Sequence, residues 1–184
     1  MVKILLGRQE VNPDTQDHTG QTPFAYAIQK RHVEIVKILL GRAEIDPNKQ
    51  NNYGSTPLSQ AASYGYEDIV KALLEREEVN PDSQDNDGTT PLSRATSNGH
   101  EGVVKMLLGR AEVNPDRKNN EGKTPLFAAA TRGNDGVVKI LLARKDVISD
   151  QPDDQDETPL MAAHRKGHKR VIELLEPQEA VNTK

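Results

Sequence analysis

The sequence predicts an all-α repeat solenoid, in which helix–turn–helix units stack side by side and are joined by turn-forming loops. Three observations predict it. Thr-Pro occurs at Thr22-Pro23, Thr56-Pro57, Thr90-Pro91, Thr124-Pro125 and Thr158-Pro159, each 34 residues after the last. A turn-forming stretch of Val, Asn, Pro, Asp and a closing Gly precedes the motif, as at Val11 to Gly20, Val79 to Gly88 and Val113 to Gly122. An aliphatic run follows it, as Val36-Lys37-Ile38-Leu39-Leu40 and Val138-Lys139-Ile140-Leu141-Leu142. A fixed period of this size means that each unit buries its apolar face against its neighbours, not in one central core.

Each element follows from its residues. Val2-Lys3-Ile4-Leu5-Leu6 repeats the aliphatic run, so residues 1–10 read as the second half of a partial repeat and the chain as a fragment of a longer array. The Asn-Pro-Asp…Gly stretch is turn chemistry: Pro presets φ and Gly accepts positive φ. Thr-Pro then opens a first helix, with Pro at a position whose N–H has no intrahelical partner and Thr placed to cap the free donors. The pairs Ala61-Ala62 and Ala129-Ala130 let neighbouring helices approach closely. Gly65, Gly99, Gly133 and Gly167 reverse the chain, and a second helix buries aliphatic positions such as Ile69, Val70, Leu73 and Leu74. The terminal repeats depart from this pattern: Arg31 stands at the turn Gly, Asp156 at the loop Gly, Ile148 at the loop Asn and His164 at the second Ala. Atypical ends are expected where one side faces water. The repeat domain therefore spans 1–176, with 177–184 a loose tail after Pro177.

A period of 34 alone is shared with tetratricopeptide repeats. That pattern needs a bulky aromatic such as Trp, and this chain contains none. Instead Thr90-Pro91-Leu92-Ser93-Arg94-Ala95, Asn98-Gly99-His100 and Val103-Val104-Lys105-Met106-Leu107-Leu108 closely resemble the ankyrin repeat. The resemblance implies that the Val-to-Gly stretches are projecting β-hairpin or finger loops joining the units; that interval is longer than the usual family pattern, which predicts enlarged finger tips. The His that usually follows Thr-Pro-Leu in the family is absent; Ala25, Ser59, Ser93, Phe127 and Met161 stand there. The hydrogen bonds it would make must be replaced or lost.

Composition narrows the function. The net charge of −4, with charges of both signs mixed along the chain, argues against nucleic-acid binding, which wants a basic footprint. Without cysteine there is no disulfide framework and no Cys-based zinc site. Ile4-Leu5-Leu6 is too short for a leader's apolar core or a membrane span. The reading is of an intracellular protein, cytoplasmic or nuclear, with no membrane partner.

Motifs that suggest chemistry do not carry it far. Ser83-Gln84-Asp85-Asn86-Asp87-Gly88 resembles half a calcium loop, yet the first and twelfth ligand places hold Ser83 and Arg94. His164 and His168 are four apart, but Gly167 breaks the helix between them. The acidic run Asp150 to Glu157 and the basic cluster Arg165 to Arg170 read as solvated faces. There is no Gly-rich phosphate loop and no nucleophile elbow. The protein is read as a non-enzyme with no cofactor, no metal and no small-molecule substrate.

The resemblance implies a monomeric protein–protein interaction module, part of a larger signalling, receptor or scaffold protein, that binds through finger tips and the exposed side of the first helices. A structural spacer or engineered array is the alternative, because copies such as Leu-Leu-Gly-Arg-Ala-Glu at 39–44 and 107–112 are identical. Carried over by repeat position, the candidate partner-binding residues are Tyr26, Lys30, Tyr53, Tyr64, Tyr66, Asn86, Asp87, Asn98, Glu121, Arg132 and Arg165. Interfaces draw most of their energy from a few Tyr, Trp or Arg anchors. The tyrosines of the first and second repeats are therefore the expected hot spot.

Overall fold

The computed structural model describes residues 13–176, so the partial repeat expected at 1–10 and the tail expected at 177–184 lie outside the described residues. Ten helices are described, two for each Thr-Pro motif: α1 (Pro23–Gln29) and α2 (Val33–Leu40), α3 (Pro57–Tyr64) and α4 (Glu67–Leu74), α5 (Pro91–Asn98) and α6 (Glu101–Leu108), α7 (Pro125–Arg132) and α8 (Asp135–Leu142), α9 (Pro159–Lys166) and α10 (Lys169–Leu175). The first helices α1, α3, α5, α7 and α9 stack in one layer, and the second helices α2, α4, α6, α8 and α10 in another. At seven or eight residues, none would persist alone in water. Packing holds them.

Every first helix starts as its sequence dictates. The hydroxyls of Thr22, Thr56, Thr90, Thr124 and Thr158 accept the N–H groups of Ala25, Ser59, Ser93, Phe127 and Met161 at 3.1–3.3 Å. Each cap contributes about 1 kcal/mol. Where the family's His is missing, hydroxyls replace it in part. Thr90 donates to Ser93 Oγ at 3.2 Å, whereas the buried Ser59 Oγ has no partner.

The first helices end at Gly65, Gly99, Gly133 and Gly167 with φ between 72 and 77°, a region that costs a side chain about 1–2 kcal/mol. Arg31 adopts it too, at φ 53°, and Asp156 does so in the fifth finger at 58°. The core follows the period. Leu58, Leu92 and Leu126 are buried at one register position, and Ala27, Ala61, Ala95, Ala129 and Ala163 at another. The alanines keep the first-helix layer thin, while Val36, Val70, Val104 and Val138 fill the space beneath it.

The fingers are turns. No strand occurs among the described residues, and the expected hairpin is closed by single backbone pairs such as Asp85 N–H to Thr89 O at 3.1 Å. Asp17, Asn51, Asp85, Asn119 and Asp153 each use Oδ1 to accept two N–H groups, two and four residues ahead. The extra finger length holds an earlier turn of the same kind, in which Asn80 accepts from Asp82 N–H and Asn114 from Asp116 N–H.

Candidate functional site

Much of the polar surface is taken up in holding one repeat to the next. Asn52, Asn86 and Asn120 donate from Nδ2 to the carbonyls of His18, Asn52 and Asn86, at 2.9–3.0 Å. Gln16 and Gln84 reach Gln50 O and Lys118 O in the same way, and Lys118 Nζ continues to Pro152 O at 2.8 Å. At the end of the second helices, Arg76, Arg110 and Arg144 donate to Leu40, Leu74 and Leu108 carbonyls of the preceding repeat. Each also pairs with an acid two residues on: Glu78, Glu112 or Asp146. The recurring Leu-Leu-Gly-Arg-Ala-Glu is thus stacking machinery. A cation at a helix C-terminus also complements the helix dipole.

A fourth set locks the turns. His100 Nε2–H donates to Ser63 O and His168 Nε2–H to Thr131 O, both at 3.0 Å, while Asn134 donates to Thr96 O and Ser97 O. A carbonyl only accepts, so both imidazoles carry their proton on Nε2 in these bonds.

Along the first helices and the fingers lies a groove, with hollows of about 240 Å³ each at two places. The first is lined by Tyr53, Tyr64, Gln21, Gln60 and Ser63, and the second by Ser97, Lys123, Phe127, Arg132 and Arg165. Arg94 lines both.

The predicted residues divide sharply against this geometry. Tyr53 is 72% exposed at a finger tip and, with Tyr64, borders the first hollow. Arg132 and Arg165 border the second. The other predicted residues line neither. Tyr64 and Tyr66 stack with ring centroids 5.3 Å apart, but Tyr66 is half-buried on the core beneath the Arg31 guanidinium, 5.2 Å from its ring. Tyr26 donates its hydroxyl to Asp17 Oδ2 at 2.8 Å, which raises its own pKa. Asn86 belongs to the finger ladder, and Asn98 donates to Ser63 O and Oγ across the repeat boundary. Glu121 pairs with Lys123, Asp87 lies 4.0 Å from Arg94, and Lys30 is exposed at the end of α1.

The side chains that suggested chemistry have other work. Asp85 is enclosed by its own turn and paired to Arg94. His168 engages Thr131 O, while His164 lies 3.7 Å from Glu176. Sequence reasoning did not single out Arg94. Its signal was a long cation at a position held elsewhere by Tyr26, Gln60, Ala128 and Ala162.

Helix pairs in register and a side-chain lattice repeating with the chain define a stacked helical repeat protein. A family model of ankyrin repeats matches three stretches, residues 1–85, 43–119 and 111–184, which together span the chain. The chain belongs to the ankyrin repeat family. Repeats of this family generally mediate protein–protein interaction. No curated protein matches it. Among the described residues, no helix is long and apolar enough to cross a membrane.

Proposed function

We propose that this chain binds a partner protein through the groove, holding an extended segment against the first helices and the inner faces of the fingers. One observation carries the reading: the side chains of Tyr53, Tyr64, Arg94, Arg132 and Arg165 border the two hollows and make no hydrogen bond or ion pair to another repeat among the described residues. Rigid units already stacked by ladders on each side of the groove leave little ordering cost for the protein itself on binding. Signalling, receptor and scaffold assemblies are the setting such a module serves. A monomer in the cytoplasm or nucleus, without catalysis of its own, fits both the binding role and a cysteine-free chain.

Site-specific photo-crosslinking in extract of the source organism tests it. A crosslinking side chain in place of Tyr53 is expected to capture a discrete protein. The same group at Lys105, exposed on the second-helix layer, is expected to capture none. Equal, weak labelling from both positions would overturn the proposal in favour of a spacer.

A further inference from the structure

We infer that the hollow spanning the third, fourth and fifth repeats is a socket for a single carboxylate, supplied by an Asp or Glu of the partner's extended segment and held by Arg132. This inference rests on the groove being the interaction surface.

Charge is the first ground. The protein carries a net charge of −4, yet four cations border this hollow, Arg94, Lys123, Arg132 and Arg165, and no carboxylate does. Three of them already hold an acid outside it. Arg94 pairs with Asp85 and lies 4.0 Å from Asp87, Lys123 pairs with Glu121, and Arg165 grips Glu157 through two bonds of 2.7 and 3.0 Å. The Arg165 pair holds the Glu157 carboxyl below the usual range. Arg132 has no acidic partner among the described residues. Of the four cations, Arg132 is the one with no acid of its own, in a concave place that concentrates its field.

Chemistry and size agree. The exposed guanidinium of Arg132 matches a carboxylate in two parallel N–H···O bonds. Ser97 places a hydroxyl, unbonded among the described residues, on the same wall. The floor is the buried Phe127 ring, with Lys123 Nζ 5.6 Å from its centroid. A hollow of about 240 Å³ is smaller than the roughly 300–1,000 Å³ of a typical small-ligand pocket, and suits one side chain. A phosphoryl group would bring close to two negative charges against the single guanidinium that has no acid of its own.

The neighbouring hollow adds a distance. Tyr64 and Arg132 occupy one register position two repeats apart. Helix layers are separated by about 8–10 Å, so the two lie roughly 16–20 Å apart. An extended chain covers that in about five or six residues at ~3.3 Å each. The partner's acid is therefore expected about that far from the residue that meets the tyrosines.

The test is selection of random twelve-residue peptides displayed on phage against the full chain, followed by titration of the synthetic winners. Peptides are expected to share an Asp or Glu at one position. Its change to Asn or Gln, and Arg132→Gln in a protein with an unaltered melting curve, should each weaken binding about tenfold. Combining the two should weaken it little further. Binding within twofold on Arg132→Gln, but lost on Tyr53→Ala, would overturn the socket and leave the groove reading standing. Binding indifferent to both substitutions, or no selected peptide at all, would overturn both. A phosphoserine version binding more tightly than the carboxylate would overturn the single-carboxylate assignment.

Discussion

The turns at Gly133 and Gly167 have nearly the same backbone, with φ of 73 and 74°, and very different surroundings. A Cβ on Gly133 would lie 2.6 Å from the ring of His168, whereas a Cβ on Gly167 would meet nothing within 4 Å. The turn is dictated by the repeat's own sequence, and the lock over it comes from the next repeat. An inner turn thus carries two demands and the last only one. Their difference isolates what stacking adds to a unit whose local structure is already set.

Alanine at the two glycines separates these demands and gives the largest expected effect. Both substitutions incur the left-handed cost of about 1–2 kcal/mol. Gly133→Ala also displaces His168 from Thr131 O and overpacks the boundary, adding about 1–3 kcal/mol. Chemical denaturation should show Gly133→Ala clearly less stable than Gly167→Ala. Equal losses would mean that the imidazole lock contributes nothing.

The next effect concerns the second-helix arginines. Arg144 Nη1 donates to Leu108 O of the preceding repeat at 2.6 Å, while Nε and Nη2 hold Asp146. Arg144→Met keeps the apolar stem and should cost about 1.5–3 kcal/mol, the range for a bond from a charged donor. Asp146→Asn removes only a solvent-screened pair at the surface and should cost less than Arg144→Met. Urea midpoints of the two variants rank the cross-repeat bond against the local ion pair. The reverse order would show that the acid, not the carbonyl, is the arginine's purpose.

Much of the fold could be read because its rules are local. Thr-Pro announces a cap and a helix start, and Gly at a fixed place announces positive φ; neither depends on what packs nearby. The ladders were not read, although Asn52, Asn86 and Asn120 recur at the period, with His18 and Asp154 at the two ends. Their side chains act on the next repeat's backbone, and their recurrence records that task. Asn86 was consequently taken for a binding residue. A residue that recurs here holds the stack, whereas a position that varies can hold residues free to face a partner: Lys30, Tyr64, Asn98, Arg132 and Lys166 share one, although Asn98 binds Ser63 of the preceding repeat. Even that rule does not reach Arg132 by itself, because its lack of a partner shows only once the acids beside Arg94, Lys123 and Arg165 are located. Tyr64 and Tyr66, two residues apart, were likewise indistinguishable until one proved half-buried.

The fifth finger sharpens the contrast between inner and terminal repeats. Asp156 stands at φ 58° where the inner fingers have glycine, and its exposed side chain makes no bond among the described residues. Asp tolerates this conformation better than most residues. Asp156→Gly should therefore raise stability by only about 0.5–1 kcal/mol, read as a small upward shift in melting temperature. Arg31→Gly relieves the same kind of strain but removes the contacts to Asp68 and the Tyr66 ring, so it should change little.

The smallest effects, and the most specific, are in the pH dependence of two turn carboxylates. The hydroxyl of Thr19, the N–H of Gln21 and the hydroxyl of Tyr26 hold Asp17 well below the usual carboxylate range. A folded pKa below the unfolded value of about 3.9 gives stability that is present above that value and lost as pH falls through the folded one. Burial pushes Asp116 the other way, against a lowering from Ile148 N–H. Its contribution is present below the unfolded value and lost as pH rises through the folded one. Asn51 and Asn119 already form the same turn with an amide oxygen, so Asp17→Asn should keep the fold. The melting-temperature gap between wild type and Asp17→Asn should narrow below about pH 4, where the unfolded-state carboxyl protonates. For Asp116→Asn, the variant should gain on the wild type as pH rises above that point. Parallel curves for the two variants would mean that burial and hydrogen bonding do not set these two groups apart.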